Sequence, residues 1–155
     1  MKLDFTPFVG FGALRLGSPA DEIAALLGGS PRRRGNRWIF HERGVMLHVE
    51  GGVVVGVEPC SRSAAPTLDG YSLWSRDALE HACQRYGPVA TYASATTIAL
   101  FDSIGLSMSF ARGPAHHAID TVCAYRPGSF ASILLGLVSA PDWRSAPTWL
   151  HNVER

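Results

Sequence analysis

The sequence predicts an α+β fold: two tandem helix-plus-antiparallel-sheet repeats sharing one core, followed by a C-terminal helix and tail. Three observations lead to it. The 155 residues are 46% hydrophobic, enough for one core. The 16 glycines and 10 prolines indicate many turns. A helix pattern followed by strand patterns occurs twice. We expect a single domain over 1–155, with repeats at about 10–58 and 68–125 and the tail at 126–155.

The first repeat opens with a helix start signal. Ser18 can cap the helix, and Pro19 suits the first helical position. The residues that would form its apolar stripe are Ile23, Leu26 and Leu27. Gly28-Gly29 then ends the helix.

Three antiparallel strands are expected after this helix. A basic stretch at 32–36 is interpreted as a loop, and strands follow at 38–40, 45–49 and 53–57. Glu50-Gly51-Gly52 predicts a tight hairpin turn between the last two strands.

The second repeat has the same order. Ser75 is the candidate cap, and the predicted strands are 97–101, 106–110 and 119–125. The expected apolar stripe of its helix consists of Leu79, Ala82, Cys83 and Tyr86. The matching landmarks lie 57 to 65 positions apart: Ser18 with Ser75, Gly28 with Gly87, Phe40 with Phe101, Gly44 with Gly105, and Val57 with Val122.

The C-terminal segment is predicted to add a short helix that starts near Ser129. Its apolar stripe would be Phe130, Ile133, Leu134 and Leu137. Trp143 and Trp149 are expected to pack the tail onto the domain, or else to face a partner.

Cysteine usage and the amino terminus favour a cytoplasmic protein. The three cysteines form no CxxC pair, which is typical of reduced thiols. Asp4 and Pro7 interrupt any apolar run of a secretory signal, and the most apolar segment, at 129–140, is too short to span a bilayer. We therefore expect no membrane association.

The usual signatures of enzymes and cofactor sites are missing from the sequence. It contains no GxxxxGK[ST], HExxH or GxSxG pattern and no dinucleotide-binding glycine motif. His116-His117 is the best metal-like feature, but neighbouring residues on a strand point to opposite faces. The net charge of the chain is +1, whereas a nucleic-acid binder is expected to have a strongly basic surface. We expect no catalytic residues, no metal, no cofactor and no nucleic-acid partner.

The sharpest charge run is Arg32, Arg33 and Arg34. Two interpretations stay open for it. The run is either a docking patch for an acidic partner or phosphate, or a solvated loop.

One family resemblance rests on the phrase Leu14-Arg15-Leu16-Gly17-Ser18-Pro19-Ala20-Asp21-Glu22-Ile23, the Leu27-Gly28 pair, an aromatic strand and a Gly-Gly hairpin. This pattern resembles the opening of beta-lactamase-inhibitor-protein-like units, whose tandem versions occur among immunity proteins of bacterial polymorphic toxin systems. The resemblance covers about residues 10–125. The second copy lacks the Leu-Gly pair, and its corresponding segment is Tyr71-Ser72-Leu73-Trp74-Ser75.

The resemblance implies a cytosolic immunity protein that occludes a cognate toxin delivered by contact-dependent inhibition or type VI secretion. The candidate partner-binding residues are exposed loop groups: Arg32, Arg33, Arg34, Arg112, His116, His117 and Trp143. One alternative is a small-ligand sensor or carrier with an apolar pocket. Another is an enzyme assembled from the distant residues His48, His116, His117 and Asp120.

Overall fold

The computed structural model describes residues 2–87, 90–91, 96–111, 119–126, 128 and 138–139. This part holds two α-helices, α1 (Ala20–Leu27) and α2 (Arg76–Tyr86), and a 3-10 turn at His41–Arg43. The strands before α2 are β1 (Lys2–Thr6), β2 (Gly10–Phe11), β3 (Leu14–Arg15), β4 (Arg32–Arg34), β5 (Arg37–Phe40), β6 (Val45–Glu50), β7 (Val53–Pro59), β8 (Ala65–Leu68) and β9 (Tyr71–Ser72). The strands after it are β10 (Ala90–Thr91), β11 (Thr96–Phe101), β12 (Leu106–Ala111), β13 (Ile119–Tyr125) and β14 (Val138–Ser139). The predicted α+β class is confirmed.

A nine-stranded sheet dominates the fold, in the order β14-β10-β11-β12-β13-β7-β6-β5-β4. All its neighbouring strands are antiparallel. The two halves of the chain meet in the middle of this sheet, where Ala124 of β13 pairs with Val57 of β7. The halves therefore form one continuous sheet.

A smaller five-stranded sheet has the order β3-β2-β1-β8-β9. Its central pair is parallel and joins residues far apart in sequence, with Leu3 opposite Pro66. Sequence patterns predicted none of β1, β2 and β3. Strand β1 pairs with β8 across more than 60 residues, and β2 and β3 are two residues long, too short for a strand pattern.

One hydrophobic core lies between one face of the large sheet, both helices and the small sheet. The inward row of the large sheet is built by residues opposite one another on adjacent strands: Leu47, Val57, Ala124, Leu106 and Phe101, all buried. The small sheet adds Leu3, Phe5, Phe11 and Leu14 to the same core. A single core shared by both halves agrees with the small size of each half.

Helix α2 matches its prediction. Ser75 is the N-cap and its hydroxyl accepts a hydrogen bond from the Ala78 amide at 3.3 Å. Leu79, Ala82 and Cys83 are buried.

Helix α1 departs from its prediction in two ways. Pro19, rather than Ser18, is the N-cap, and no side chain caps the helix. Leu26 is 63% exposed, so its assignment to the apolar stripe is wrong. A helix of eight residues buries only a narrow face, here through Ala20, Ile23 and Leu27.

In each half, a helix is followed by four antiparallel strands, β4–β7 after α1 and β10–β13 after α2. The sequence pattern predicted three strands in each half, and the additional ones are β4 and β10. Glu50 pairs with Val53 across Gly51-Gly52, so the predicted hairpin turn is confirmed. That the halves are repeats of one unit stays a prediction.

Most of the predicted C-terminal helix and tail lies outside the described residues, as do Trp143 and Trp149. Within the described part of the chain, neither helix has the length and apolar character needed to cross a membrane.

Candidate functional site

The hairpin β4–β5 forms one edge of the large sheet. Gly35 and Asn36 connect its strands, and Gly35 has a φ of +57°, which glycine adopts without steric cost. The prediction of a loop at 32–36 is therefore wrong for Arg32–Arg34, which is a strand. Its backbone pairs with β5, and charged side chains are a common means of keeping such an edge from pairing with other chains.

The three consecutive arginines do not share a face, because side chains alternate along a strand. The Arg33 guanidinium lies 3.8 Å from the centroid of the Trp38 ring. It also approaches the Asp21 carboxylate of α1 at 3.6 Å. Arg33 therefore lies on the helix side of the sheet, where its guanidinium packs on the Trp38 ring. Arg32 and Arg34 lie on the opposite side.

Arg37 joins Arg32 and Arg34 on that opposite side, because it pairs directly with Arg34. These three residues form what we call the arginine patch, and all three are exposed. No ion pair or hydrogen bond links their side chains to the part of the chain that the structure describes. Like charges directly opposite one another on neighbouring strands destabilise a sheet. The cross-strand pair of Arg34 and Arg37 therefore does not stabilise the hairpin.

A small cleft of about 250 Å³ adjoins the patch, between the end of α1 and the 3-10 turn. The polar side chains in its lining are those of Ser30, Arg32, His41, Glu42 and Arg43. The Arg43 Nε donates a hydrogen bond of 2.7 Å to the Leu27 carbonyl oxygen, one of the last carbonyls of α1. The lining of the cleft thus combines two arginines with one carboxylate.

A cluster of polar side chains lies nearer the middle of the sheet, on the same side as the patch. His48 of β6 pairs across the strands with both Arg37 and Gly56. Its Nε2 is 2.9 Å from the Glu58 Oε2 of β7. The Cys123 Sγ of β13 completes the group, and its ligand atoms all lie within 4.8 Å of one another. We call His48, Glu58 and Cys123 the central cluster.

Burial determines the chemistry of the central cluster. The side chains of His48 and Glu58 are 11% and 16% exposed. Burial raises the pKa of the Cys123 thiol well above its usual value, and the Glu58 carboxylate raises that pKa further. The raised pKa favours the protonated thiol of Cys123. This form is a poor nucleophile, because the thiolate is the nucleophilic form of cysteine. The cluster offers imidazole, carboxylate and sulfur donors, which together could hold a metal ion.

The structure places only some of the residues that the sequence singled out. Arg112, His116, His117 and Trp143 lie outside the described residues. Asp120 is an exposed residue of β13. The residues that sequence reasoning missed are Arg37, Glu58 and Cys123. The Gly35-Asn36 turn could have indicated the pairing of Arg37 with Arg34, but no local signal joins Cys123 to residues of the first half.

All three cysteines are free thiols, with Cys60 exposed and Cys83 and Cys123 buried. Burial is the main cause that raises the pKa of Cys83, to about 12. Neither buried thiol is therefore a candidate nucleophile.

In comparisons with known proteins, no family model, no curated protein and no solved structure matches the chain. The arginine patch at the sheet edge and the central cluster are therefore described from the structure alone.

Proposed function

We propose that this chain is a cytosolic immunity protein that binds and occludes a cognate secreted bacterial toxin domain through the arginine patch. The observation that carries the proposal is the set of three exposed guanidinium groups, unpaired within the described part of the chain, on one face of an edge hairpin. Such a patch matches an acidic surface on a partner, and arginine binds carboxylates in a bidentate, geometrically specific way.

The setting of the patch supports protein binding. Strands β4 and β5 belong to a nine-stranded sheet, so the patch is held on a rigid support. Ile39 and Met46 lie beside it on the same face and are partly buried. An apolar centre bordered by arginine is a common composition for a protein interface.

The shared layout of the two halves supports the further proposal that they are tandem repeats of the inhibitor-like unit. Among the four strands that follow each helix, the last lies at the seam and the first lies farthest from it, with β14 added outside β10 in the second half. This arrangement places β4, and with it the patch, at the outer edge of the sheet.

The alternative function, a small-ligand sensor or carrier, would use the cleft beside the patch. The volume of that cleft, about 250 Å³, is below the roughly 300–1,000 Å³ of ordinary ligand pockets. The geometry therefore favours a protein partner.

The test begins with recovery of partners by the tagged chain from its native cells, identified by mass spectrometry. The C-terminal domain of the recovered partner is then expressed alone and together with the chain. We expect that domain to arrest growth, and co-expression to restore it.

The decisive variant reverses the charge of the patch, R32E/R34E/R37E. The matched control is R15E/R62E/R126E, which changes three exposed arginines elsewhere by the same charge. We expect the patch variant to weaken the complex at least about tenfold, or roughly 1.4 kcal/mol, and to lose growth rescue, while the control retains both. Equal effects of the two variants, or a partner without toxicity, would contradict the proposal.

A further inference from the structure

The central cluster has no part in the proposed function, and it is unusual in the sheet that holds it. His48 is the one buried polar or charged side chain among the described residues. It is paired with a carboxylate and lies close to a buried sulfur. The hydrogen bond between His48 and Glu58 offsets the cost of burying this pair, and the Cys123 sulfur lies within 4.8 Å of both ligand atoms, close enough for all three to share one ion. We propose that His48 Nε2, Glu58 Oε2 and Cys123 Sγ bind a single zinc-class transition-metal ion.

The donor types point to this class of ion. Imidazole and thiolate are preferred by Zn²⁺ and its substitute Co²⁺, whereas Ca²⁺ and Mg²⁺ take oxygen donors. One nitrogen, one oxygen and one sulfur give three of four tetrahedral ligands. A water molecule takes the fourth position in zinc sites of this composition.

The geometry requires only small movements of the side chains. Ligand lengths of about 2.0–2.3 Å place tetrahedral donor atoms about 3.4–3.6 Å apart. The His48–Glu58 separation of 2.9 Å must therefore widen by about half an ångström as the metal replaces that hydrogen bond. The sulfur, within 4.8 Å of both other atoms, must approach by no more than about 1.5 Å.

The backbone already holds the three residues in place. They lie on three consecutive strands of the large sheet, β6, β7 and β13. Gly56 lies opposite His48 and leaves space for its ring. Because His48 and Glu58 belong to the first half and Cys123 to the second, a bound ion would join the halves across their seam.

When the metal ion binds, it takes the place of the proton on the Cys123 thiol. The Cys123 Sγ–H bond breaks, its proton leaves to solvent, and the sulfur electron pair forms the bond to the metal. Before binding, His48 Nε2–H donates to the Glu58 carboxylate. On binding, the Nε2–H bond breaks, and by exchange with solvent the neutral ring carries its proton on Nδ1. The freed Nε2 lone pair binds the metal, and Glu58 binds as carboxylate. No change of oxidation state is involved.

The full chain, without a histidine tag, is reduced and freed of metal with a chelator. The metal-free protein is then titrated with Co²⁺. We expect one equivalent to produce a thiolate-to-cobalt charge-transfer band in the near ultraviolet, and Zn²⁺ to abolish the band by displacement. Absence of the band from the folded protein overturns the proposal.

Variants locate the site. C123S should lose the charge-transfer band. E58Q should weaken Co²⁺ binding at least about 100-fold. Loss of a residue that only hydrogen-bonds to a ligand costs about 10–100-fold in metal affinity, so a larger loss indicates a direct ligand. E58Q is nearly isosteric and partly exposed, so it tests the proposal even if C123S fails to fold. The matched controls are C60S and C83S, which should leave the band unchanged. A band that persists in folded C123S, or unchanged affinity in E58Q, would refute this assignment of ligands.

This test is separate from that of the proposed function. The charge-reversal variant of the patch leaves all three metal ligands in place and should bind Co²⁺ normally. Loss of partner binding with retained cobalt binding would therefore separate the two properties.

Discussion

His48 and Gly56 lie directly opposite each other in the antiparallel pair of β6 and β7. A Cβ atom at position 56 would lie 3.1–3.3 Å from three atoms of His48, closer than ordinary van der Waals contact. The missing side chain of Gly56 therefore gives the imidazole its position beside Glu58.

Replacing this glycine should disturb the histidine. We expect G56A to lower the free energy of unfolding by about 1 kcal/mol, because overpacking costs about 1–3 kcal/mol while alanine gains about 0.5–1 kcal/mol of chain entropy in a strand. Urea denaturation measures the difference. In an H48A background the contact is absent, so G56A should become neutral or stabilising there. Destabilisation of equal size in both backgrounds would exclude the His48 contact as the cause.

Two glycines with positive φ differ in the space around them and form a matched pair. Gly105 has a φ of +68°, and a Cβ there would lie 2.6 Å from the Tyr125 carbonyl oxygen. Gly51 has a φ of +58° with open space around it. We expect G51A to cost about 1 kcal/mol, from backbone strain alone, and G105A about 3 kcal/mol or more. Thermal unfolding of the two variants checks this order, and similar values would contradict it.

Asp69 lies in the turn between β8 and β9 and anchors α2 through its carboxylate. The hydrogen bond from His81, at 2.9 Å, is the main cause that lowers the pKa of Asp69, with Tyr86 and Arg85 contributing. A lowered carboxyl pKa gives stability that is present above its ordinary value of 3.8 and is lost as pH falls through the folded value. The pairs are exposed, so the contribution is below about 1 kcal/mol.

The test of this contribution is D69N, since asparagine tolerates the φ of +52° found at this position. We expect the wild type to exceed D69N in stability at pH 6, and the difference to shrink as pH falls below about 4. Denaturation at several pH values measures this difference. A difference that does not change with pH would show that the Asp69 charge contributes nothing.

Arg33 and Arg34 should separate folding from binding, although they are neighbours. R33A removes the contact with Trp38 and should lower the unfolding free energy by about 0.5–1 kcal/mol while leaving partner affinity unchanged. R34A should weaken the partner complex and leave stability unchanged or slightly higher, because it relieves the repulsion by Arg37. Calorimetric binding and urea denaturation of both variants provide the two readouts. The reverse assignment of effects would contradict the division of the run into two faces.

Sequence patterns predicted most of the local structure because the responsible signals are local. The Ser75 cap, the Gly51-Gly52 turn and the alternation of Leu106 and Met108 with serines each arise from neighbouring residues. The Arg32–Arg34 strand was missed since a charge run favours a loop unless its pairing partner is known. Glu58 and Cys123 come together only through the seam between β7 and β13, and no periodicity encodes that contact.

The parallel pairing of β1 with β8 has a consequence for synthesis of the chain. Asp4 pairs with Thr67, 63 positions later. At about 5–20 residues per second, β1 leaves the ribosome roughly 3–13 s before its partner does. During that interval the backbone of β1 can pair on its β2 side but not on its β8 side. Closure of the small sheet must therefore wait for β8, but it can precede closure of the large sheet, whose seam pairs Val57 with Ala124.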